Sequence, residues 1–318
     1  MLNQMTPKRW TIGELLRVTA DYLAAKGIDS PRLSSEVLLA HSLGVDRIDL
    51  FLSFDKPLTD QEISRYRALV KRRVRREPVQ YITGKQEFWS MEFMVNPHVL
   101  IPRPESELLV ECAISIHGEA PGPAEEGVII LDLGTGCGAL AVALAKELER
   151  ATIWATDISD QALEVARENA RRHGVDGKIN FRKGDLFGAL GEEEIRFDII
   201  MSNPPYVPSD SFQSLQPEIR DYEPRTALDG GAGGTDHIER IIKDGAGYLK
   251  CGGWLLLEMG PEQISGALQV LESNDLYGEN KIVKDYSRQY RVLMARKRKQ
   301  PSQYGGDLGG VVKGANSG

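Results

Sequence analysis

From residue 128 onward, short apolar runs alternate with helical segments, and this alternation restricts the fold more than any other feature of the chain. Strands are expected at 128–131, 152–156, 179–182, 197–202, 253–258, 281–285 and 290–295. Helices are expected at 139–148, 161–172, 236–249 and 261–272. Strands joined through helices run parallel and bury both faces, so the pattern predicts an α/β fold with a mostly parallel sheet covered on both sides.

The preceding sequence has a different character. Thr11-Ile12-Gly13-Glu14 and Thr59-Asp60-Gln61-Glu62 fit the capping box, a hydroxyl at the N-cap with Glu three residues on. Ser30-Pro31 fits an N-cap followed by proline at the first helical position. Residues 1–77 therefore read as a small helical domain. A linker at 78–103 follows, with a hairpin over 86–101 whose turn is expected at Asn96-Pro97, and Phe88 and Trp89 are read as hairpin core. Residues 104–296 form the expected α/β domain, with Pro121-Gly122-Pro123 as a loop ahead of the strand and helix alternation, and the Gly-, Ser- and Lys-rich tail 297–318 is expected to be disordered.

Bulk properties exclude several classes. With 41% hydrophobic residues over 318 positions the chain can bury a sizeable core, yet no apolar run reaches the length of a membrane span. The amino terminus lacks the continuous apolar stretch of a secretory signal. Three separated cysteines and five histidines without ligand spacing argue against disulfides and metal sites, which favours the cytoplasm. A net charge of −7 argues against binding nucleic acid through the overall field.

Two loops carry the chemistry. Asp132-Leu133-Gly134-Thr135-Gly136-Cys137-Gly138-Ala139 turns the first strand into the first helix, and Asp157 ends the second strand, placed for ribose hydroxyls. Gly134, Gly136 and Ala139 satisfy the dinucleotide fingerprint, a weak signal alone. The additional Gly138 and the acidic Asp132, which would oppose a pyrophosphate, favour S-adenosyl-L-methionine, whose ammonium and sulfonium are cations. Cys137 is read as a small loop residue, not a nucleophile. The second loop is Asn203-Pro204-Pro205-Tyr206, directly after the apolar run 197–202. Two prolines end a strand and leave carbonyls outside the ladder. The amide, the carbonyls and the ring fit a clamp for a planar NH2 group; the plain alternative is a strand ending in a proline turn.

The chain resembles the bacterial release factor glutamine methyltransferases (the PrmC, or HemK, family) from about residue 10 to 296. The likeness rests on Glu87-Phe88-Trp89, Leu100-Ile101-Pro102-Arg103-Pro104-Glu105-Ser106-Glu107, Asp132 through Gly138, Gly184-Asp185-Leu186-Phe187, Ser202 through Tyr206, Glu223-Pro224, and Glu258-Met259-Gly260 with Gln263. It implies a Rossmann-like, seven-stranded class I methyltransferase domain. The implied reaction moves a methyl group from S-adenosyl-L-methionine to the side-chain amide nitrogen of the glutamine in the Gly-Gly-Gln motif of peptide chain release factors. Donor contacts carried over are Gly134, Thr135, Gly136, Cys137, Gly138, Asp157, Leu186 and Asn203. Asn203, Pro204, Pro205 and Tyr206 would hold the glutamine. Ser106 stands where the family commonly has Thr, a change expected to matter little, and Leu186 where some members place Trp.

The resemblance implies release factors as partners, a monomer, no membrane and no specific nucleic acid. Adenine N6-methylation of DNA or RNA is the alternative activity, since Asn-Pro-Pro-Tyr serves that chemistry as well; a donor-binding scaffold without catalysis is the third. The basic run Arg65, Arg67, Lys71, Arg72, Arg73, Arg75 and Arg76 reads as a solvated helix face or partners for acidic residues, with a docking patch as the rival reading. Glu258 either touches substrate or caps a loop, and Gly230 through Gly234 is either a connector or a mobile cover.

Overall fold

A computed structural model describes residues 10–119 and 127–299. The expected loop at Pro121-Gly122-Pro123 and the expected tail beyond residue 299 lie outside the described residues.

Five helices open the chain: α1 (Ile12–Ala25), α2 (Pro31–Leu43), α3 (Arg47–Leu52), α4 (Asp60–Val74) and α5 (Val79–Thr83). Both capping boxes form, with Thr11 and Thr59 accepting from the backbone N–H of Glu14 and Glu62. Ser30 departs from expectation. Its φ is 46° and its side chain makes no cap bond, so the start of α2 rests on the fixed φ of Pro31. The five helices enclose Leu23, Leu38, Leu39, Leu50 and Tyr66, none more than 1% exposed. Burying each such side chain contributes roughly 1.5–3 kcal/mol. At the end of α4 and just beyond it, Arg72 pairs with Glu77, and Arg73 and Arg76 converge on Glu218, so these three cations are partners for acidic residues.

A hairpin follows, β1 (Lys85–Phe88) and β2 (Met91–Met94). Phe88 pairs with Met91, so the turn is Trp89-Ser90 and not the expected Asn96-Pro97. Both turn residues have positive φ, 52° and 55°, as a type I′ turn requires. Neither residue type favours that conformation, and the reason it forms is tertiary. The Trp89 backbone N–H donates to Glu107 and its indole N–H to Glu147, each at 2.7 Å. Phe88 is buried core, whereas Trp89 is only half-buried against it.

Seven strands form the main sheet: β3 (Ile129–Leu133), β4 (Thr152–Asp157), β5 (Ile179–Lys183), β6 (Phe197–Ser202), β7 (Leu249–Glu258), β8 (Tyr277–Lys284) and β9 (Tyr290–Lys297). Their order is β5-β4-β3-β6-β7-β9-β8, with β3 to β7 parallel and β9 antiparallel to both its neighbours. β8 starts earlier than its apolar pattern suggested, because an edge strand with mostly exposed side chains carries little apolar signal. β9 takes in Lys297, which had been assigned to the tail.

Helices α6 (Glu107–Glu119), α7 (Ala139–Glu147), α8 (Asp160–Arg172), α9 (Pro217–Arg220), α10 (Asp236–Tyr248) and α11 (Ile264–Glu272) complete the chain. Alternate residues of β6 face opposite ways: Ile199 and Met201 join the core with Leu109, Val142 and Val165, and Ile200 joins the core with Ile238, Ile241 and Ala267. β3 has β4 on one side and β6 on the other, so the strand order reverses there. A crevice opens outside the carboxyl ends of the strands at such a point.

Candidate active site

β3 and β6 end side by side, with Leu133 opposite Ser202. Beyond them lies a cavity of about 600 Å³ whose lining includes Gly134, Gly136, Asp157, Leu186, Asn203 and Pro205. Gly134 and Gly136 have φ of +72° and +56°, and a Cβ on either would meet no atom within 4 Å. Any side chain there would stand in the cavity itself, so the glycines keep room for a ligand against the backbone. The intervening residues serve the protein side. The Thr135 hydroxyl donates to Asp132 at 2.7 Å, and the Cys137 carbonyl accepts from Asn169 at 2.8 Å. Burial pushes the Asp132 carboxyl up to about 7 against that Thr135 bond, and lifts the Cys137 thiol to about 12, which leaves it unreactive. Gly138 caps α7.

Asp157, at the end of β4, accepts from the N–H groups of Gly136 and Ser159, each at 2.9 Å. Burial nonetheless raises its carboxyl above the ordinary value, since those two bonds only partly offset the loss of water. The carboxylate is held rigidly at the cavity wall with lone pairs to spare. Leu186 also lines the cavity and has a φ of 48°, a left-handed conformation that a branched apolar residue adopts at a cost of about 1–2 kcal/mol.

A smaller cavity of about 140 Å³ adjoins the first and is lined by Leu100, Arg103, Asn203, Pro204, Tyr206 and Ile219 among others. Asn203 and Leu100 line both. The Asn203 carboxamide nitrogen donates to the Ser106 hydroxyl at 3.0 Å, which turns the Oδ1 end away from Ser106. Burial pushes the Tyr206 phenol up to about 12, so the ring stays neutral. Gly230 packs against this loop so closely that a Cβ there would lie 2.7 Å from the Tyr206 Cα; the segment is a support for Tyr206. Arg103 pairs with the buried Glu223 at 2.6 Å. A third cavity, of about 1000 Å³, lies between α2, the hairpin and residues 216–223, and shares Arg103 and Ile219 with the small one.

Residues 14–84 match the PrmC N-terminal domain and residues 118–216 the methyltransferase small domain. The release factor glutamine methyltransferase of Geobacter sulfurreducens is 45% identical over 262 residues, which is 82% of this chain and 88% of that protein. That of Rhodopirellula baltica is 39% identical over 293 residues, 91% of this chain and 97% of that protein. The chain belongs to the release factor glutamine methyltransferase family. Among solved structures, the hMettl16 catalytic domain in complex with a MAT2A 3′UTR hairpin superposes with a TM-score of 0.54 at 17% identity, covering 70% of this chain and 81% of that one. At that identity the likeness establishes the methyltransferase fold.

In this family member, Gly134, Gly136, Asp157, Leu186 and Asn203 come together around the larger cavity, and Asn203, Pro204 and Tyr206 around the smaller. Pro205 faces the larger one, while Thr135, Cys137 and Gly138 line neither. Sequence reasoning assigned no role to Leu100, Arg103 or Ile219, although Leu100 and Arg103 lie in a stretch that carried the family likeness. The presence of Ser106 in place of Thr was expected to matter little, and its hydroxyl is the partner of Asn203. Thr carries the same hydroxyl, which is why the substitution preserves the contact. Among the described residues no helix is long and apolar enough to cross a membrane.

Proposed function

We propose that this chain transfers a methyl group from S-adenosyl-L-methionine to the side-chain amide nitrogen of the glutamine in the Gly-Gly-Gln motif of peptide chain release factors. The observation that carries the reading is Asn203. One carboxamide stands at the junction of two cavities, with its nitrogen tied to Ser106 and its oxygen left for an incoming N–H.

The larger cavity suits the donor: its volume is kept clear by Gly134 and Gly136, Asp157 is an acidic acceptor for ribose hydroxyls, and Leu186 and Ile158, which also line it, give apolar walls. When bound, the donor supplies an electrophilic methyl group on a sulfonium. The chain's own groups do the rest. The Asn203 oxygen and the Pro204 carbonyl each accept one hydrogen of the glutamine NH2, which fixes the nitrogen for attack. Both acceptors gain strength as positive charge grows on that nitrogen. Pro204 and Pro205 lack an N–H, so no backbone donor competes for the amide. The neutral Tyr206 ring covers the amide plane and excludes water, and the surplus proton leaves to solvent after the N–C bond forms.

The proposal assigns recognition of the protein substrate to residues 1–77, linkage to 78–103 and chemistry to 104–296. Relatives matched over most of the chain bear the name of a protein methyltransferase, which favours this acceptor over an adenine. The test is mass spectrometry of purified release factor after incubation with the protein and the donor. One added methyl mapped to the Gly-Gly-Gln glutamine is expected. Methyl entering DNA or RNA instead would overturn the acceptor assignment.

A further inference from the structure

Part of the acceptor cavity's wall is built from a segment outside the sheet. Leu215 and Ile219 line the cavity, and both belong to the stretch around α9 that follows the Asn-Pro-Pro-Tyr loop. α9 is a single turn of four residues, too short to be stable by itself. Contacts with the amino-terminal part of the chain tie it down. Glu218, next to Ile219, is bound by Arg73 at 2.9 Å and by Arg76 at 3.3 Å. The Tyr222 hydroxyl donates to the Arg75 carbonyl at 2.6 Å, and Arg103 meets Glu223 at 2.6 Å.

Arg76 is the unusual member of this set. It lies just past α4 with a φ of 72°, a left-handed conformation that is strained for a residue with a side chain and free of strain for glycine. The backbone gains nothing from an arginine there; the guanidinium accounts for it. Its Nη1 reaches Glu218, and its Nη2 donates to the Lys26 carbonyl just after α1, each at 3.3 Å. A Cβ on Gly27 would stand 3.2 Å from that Nη2, so the guanidinium is packed against the turn. One side chain thus braces the end of α1, the end of α4 and α9.

The brace reaches the cavity through the backbone. The Ile219 N–H donates to the Gln216 carbonyl at 2.9 Å and the Glu223 N–H to the Ile219 carbonyl at 3.0 Å, so the turn moves as a unit. Successive side chains on a helical turn point about 100° apart. Glu218 can therefore face α4 while Ile219 faces the cavity. A shift of Glu218 is then a shift of the surface against which the acceptor amide is seated.

We propose that Arg76 is a positioning residue for methyl transfer: it fixes α9 against the helical domain and so holds Ile219 at the acceptor cavity. The inference rests on the amide-methylation reading above. It gives the helical domain a part in the chemical step, beyond the recognition assigned to it. Arg73 shares the same carboxylate, but its side chain is only 6% exposed and its loss would disturb the fold. Arg76, at 30%, is the member to test.

The experiment is a double-mutant cycle of Arg76→Gly and Ile219→Ala, with Arg76→Lys beside it. kcat and KM are measured with purified release factor and saturating donor, Tm by scanning calorimetry, and the fraction of competent protein by the stoichiometry of donor binding. Arg76→Gly removes the guanidinium from a position that suits glycine, so Tm should change little while kcat per competent site falls about tenfold. Donor Kd and KM for the release factor should be little altered. Arg76→Lys, which keeps a cation without the two-point fork, should fall between. Because both residues act at one wall, the double variant should be no slower than the slower single variant. Wild-type kcat in Arg76→Gly overturns the proposal. So do losses that multiply in the double variant, since Arg76 would then act elsewhere than through Ile219. A fall in kcat that disappears on correction for competent protein overturns it too, because the role is then structural. A wild type that leaves the glutamine unmethylated defeats the amide-methylation reading, and this inference with it.

Discussion

The guanidinium of Arg73 meets the carboxylate of Glu218 at 2.9 Å, with side chains only 6% and 12% exposed. The pair joins α4 to the short helix that follows the Asn-Pro-Pro-Tyr loop, and Arg76 approaches the same carboxylate at 3.3 Å. Removing one member of a nearly buried pair leaves the other charge without a partner and costs about 3–5 kcal/mol. Glu218→Ala is therefore expected to lower the urea midpoint strongly, and Glu218→Gln less so. The pH dependence has a definite sign. Burial opposes ionisation of Glu218, but a backbone hydrogen bond and the two arginines outweigh it and bring the carboxyl below its ordinary value of 4.5. Its contribution is present above that value and is lost as pH falls through the lowered one. Denaturation of wild type and Glu218→Gln across the acid range checks this: the gap between them should close toward low pH.

Asn203→Ala removes the oxygen proposed to accept from the glutamine NH2 while leaving the donor cavity's glycines and Asp157 in place. A fall in kcat of about a hundredfold is expected, by analogy with the loss of one preorganised hydrogen-bonding group. Donor Kd should change little. Single-turnover methylation read beside calorimetry separates the two effects.

Gly136→Ala places a methyl group in the larger cavity, on backbone with a φ of +56°. The left-handed conformation alone costs about 1–2 kcal/mol for a residue with a side chain. We expect donor affinity to fall at least about tenfold with a modest loss of thermal stability. Equal donor affinity in wild type and variant would show that the ligand does not approach this backbone.

Ser90→Gly should stabilise the protein. Ser90 occupies a turn position with a φ of 55° that glycine adopts without steric cost. The gain is expected to be about 1 kcal/mol, or a rise in Tm of a few degrees. Scanning calorimetry measures it, and activity should be unaltered because the turn lines neither the donor nor the acceptor cavity, although Ser90 borders the large groove.

The parts of this molecule legible in its sequence are those governed by local rules. β6 runs over Phe197–Ser202 as its apolar run and double proline indicate, and the capping boxes of α1 and α4 form from residues three apart. The glycine loop and Asn203 were visible because their residue types are unusual where strands end. The hairpin turn was missed since Trp89 is held in place by Glu107 and Glu147, which no spacing rule connects to it. Ser106 with Asn203, and Arg73 with Glu218, are likewise separated by long stretches of chain, and ordinary residue types at such distances carry no local signal.

The reversal of strand order at β3 has a consequence for how such a chain can diversify. On the proposed reading, β4 and the β5 side of the sheet supply Asp157 and Leu186 to the donor, whereas β6 and the segment entering α6 supply Asn203 and its partner Ser106 to the acceptor. The two partners of the reaction draw on opposite wings of one sheet and meet at the Asn203 carboxamide. Substitutions in one wing can accumulate without disturbing the other, so a change of methylated target need not reinvent the methyl supply.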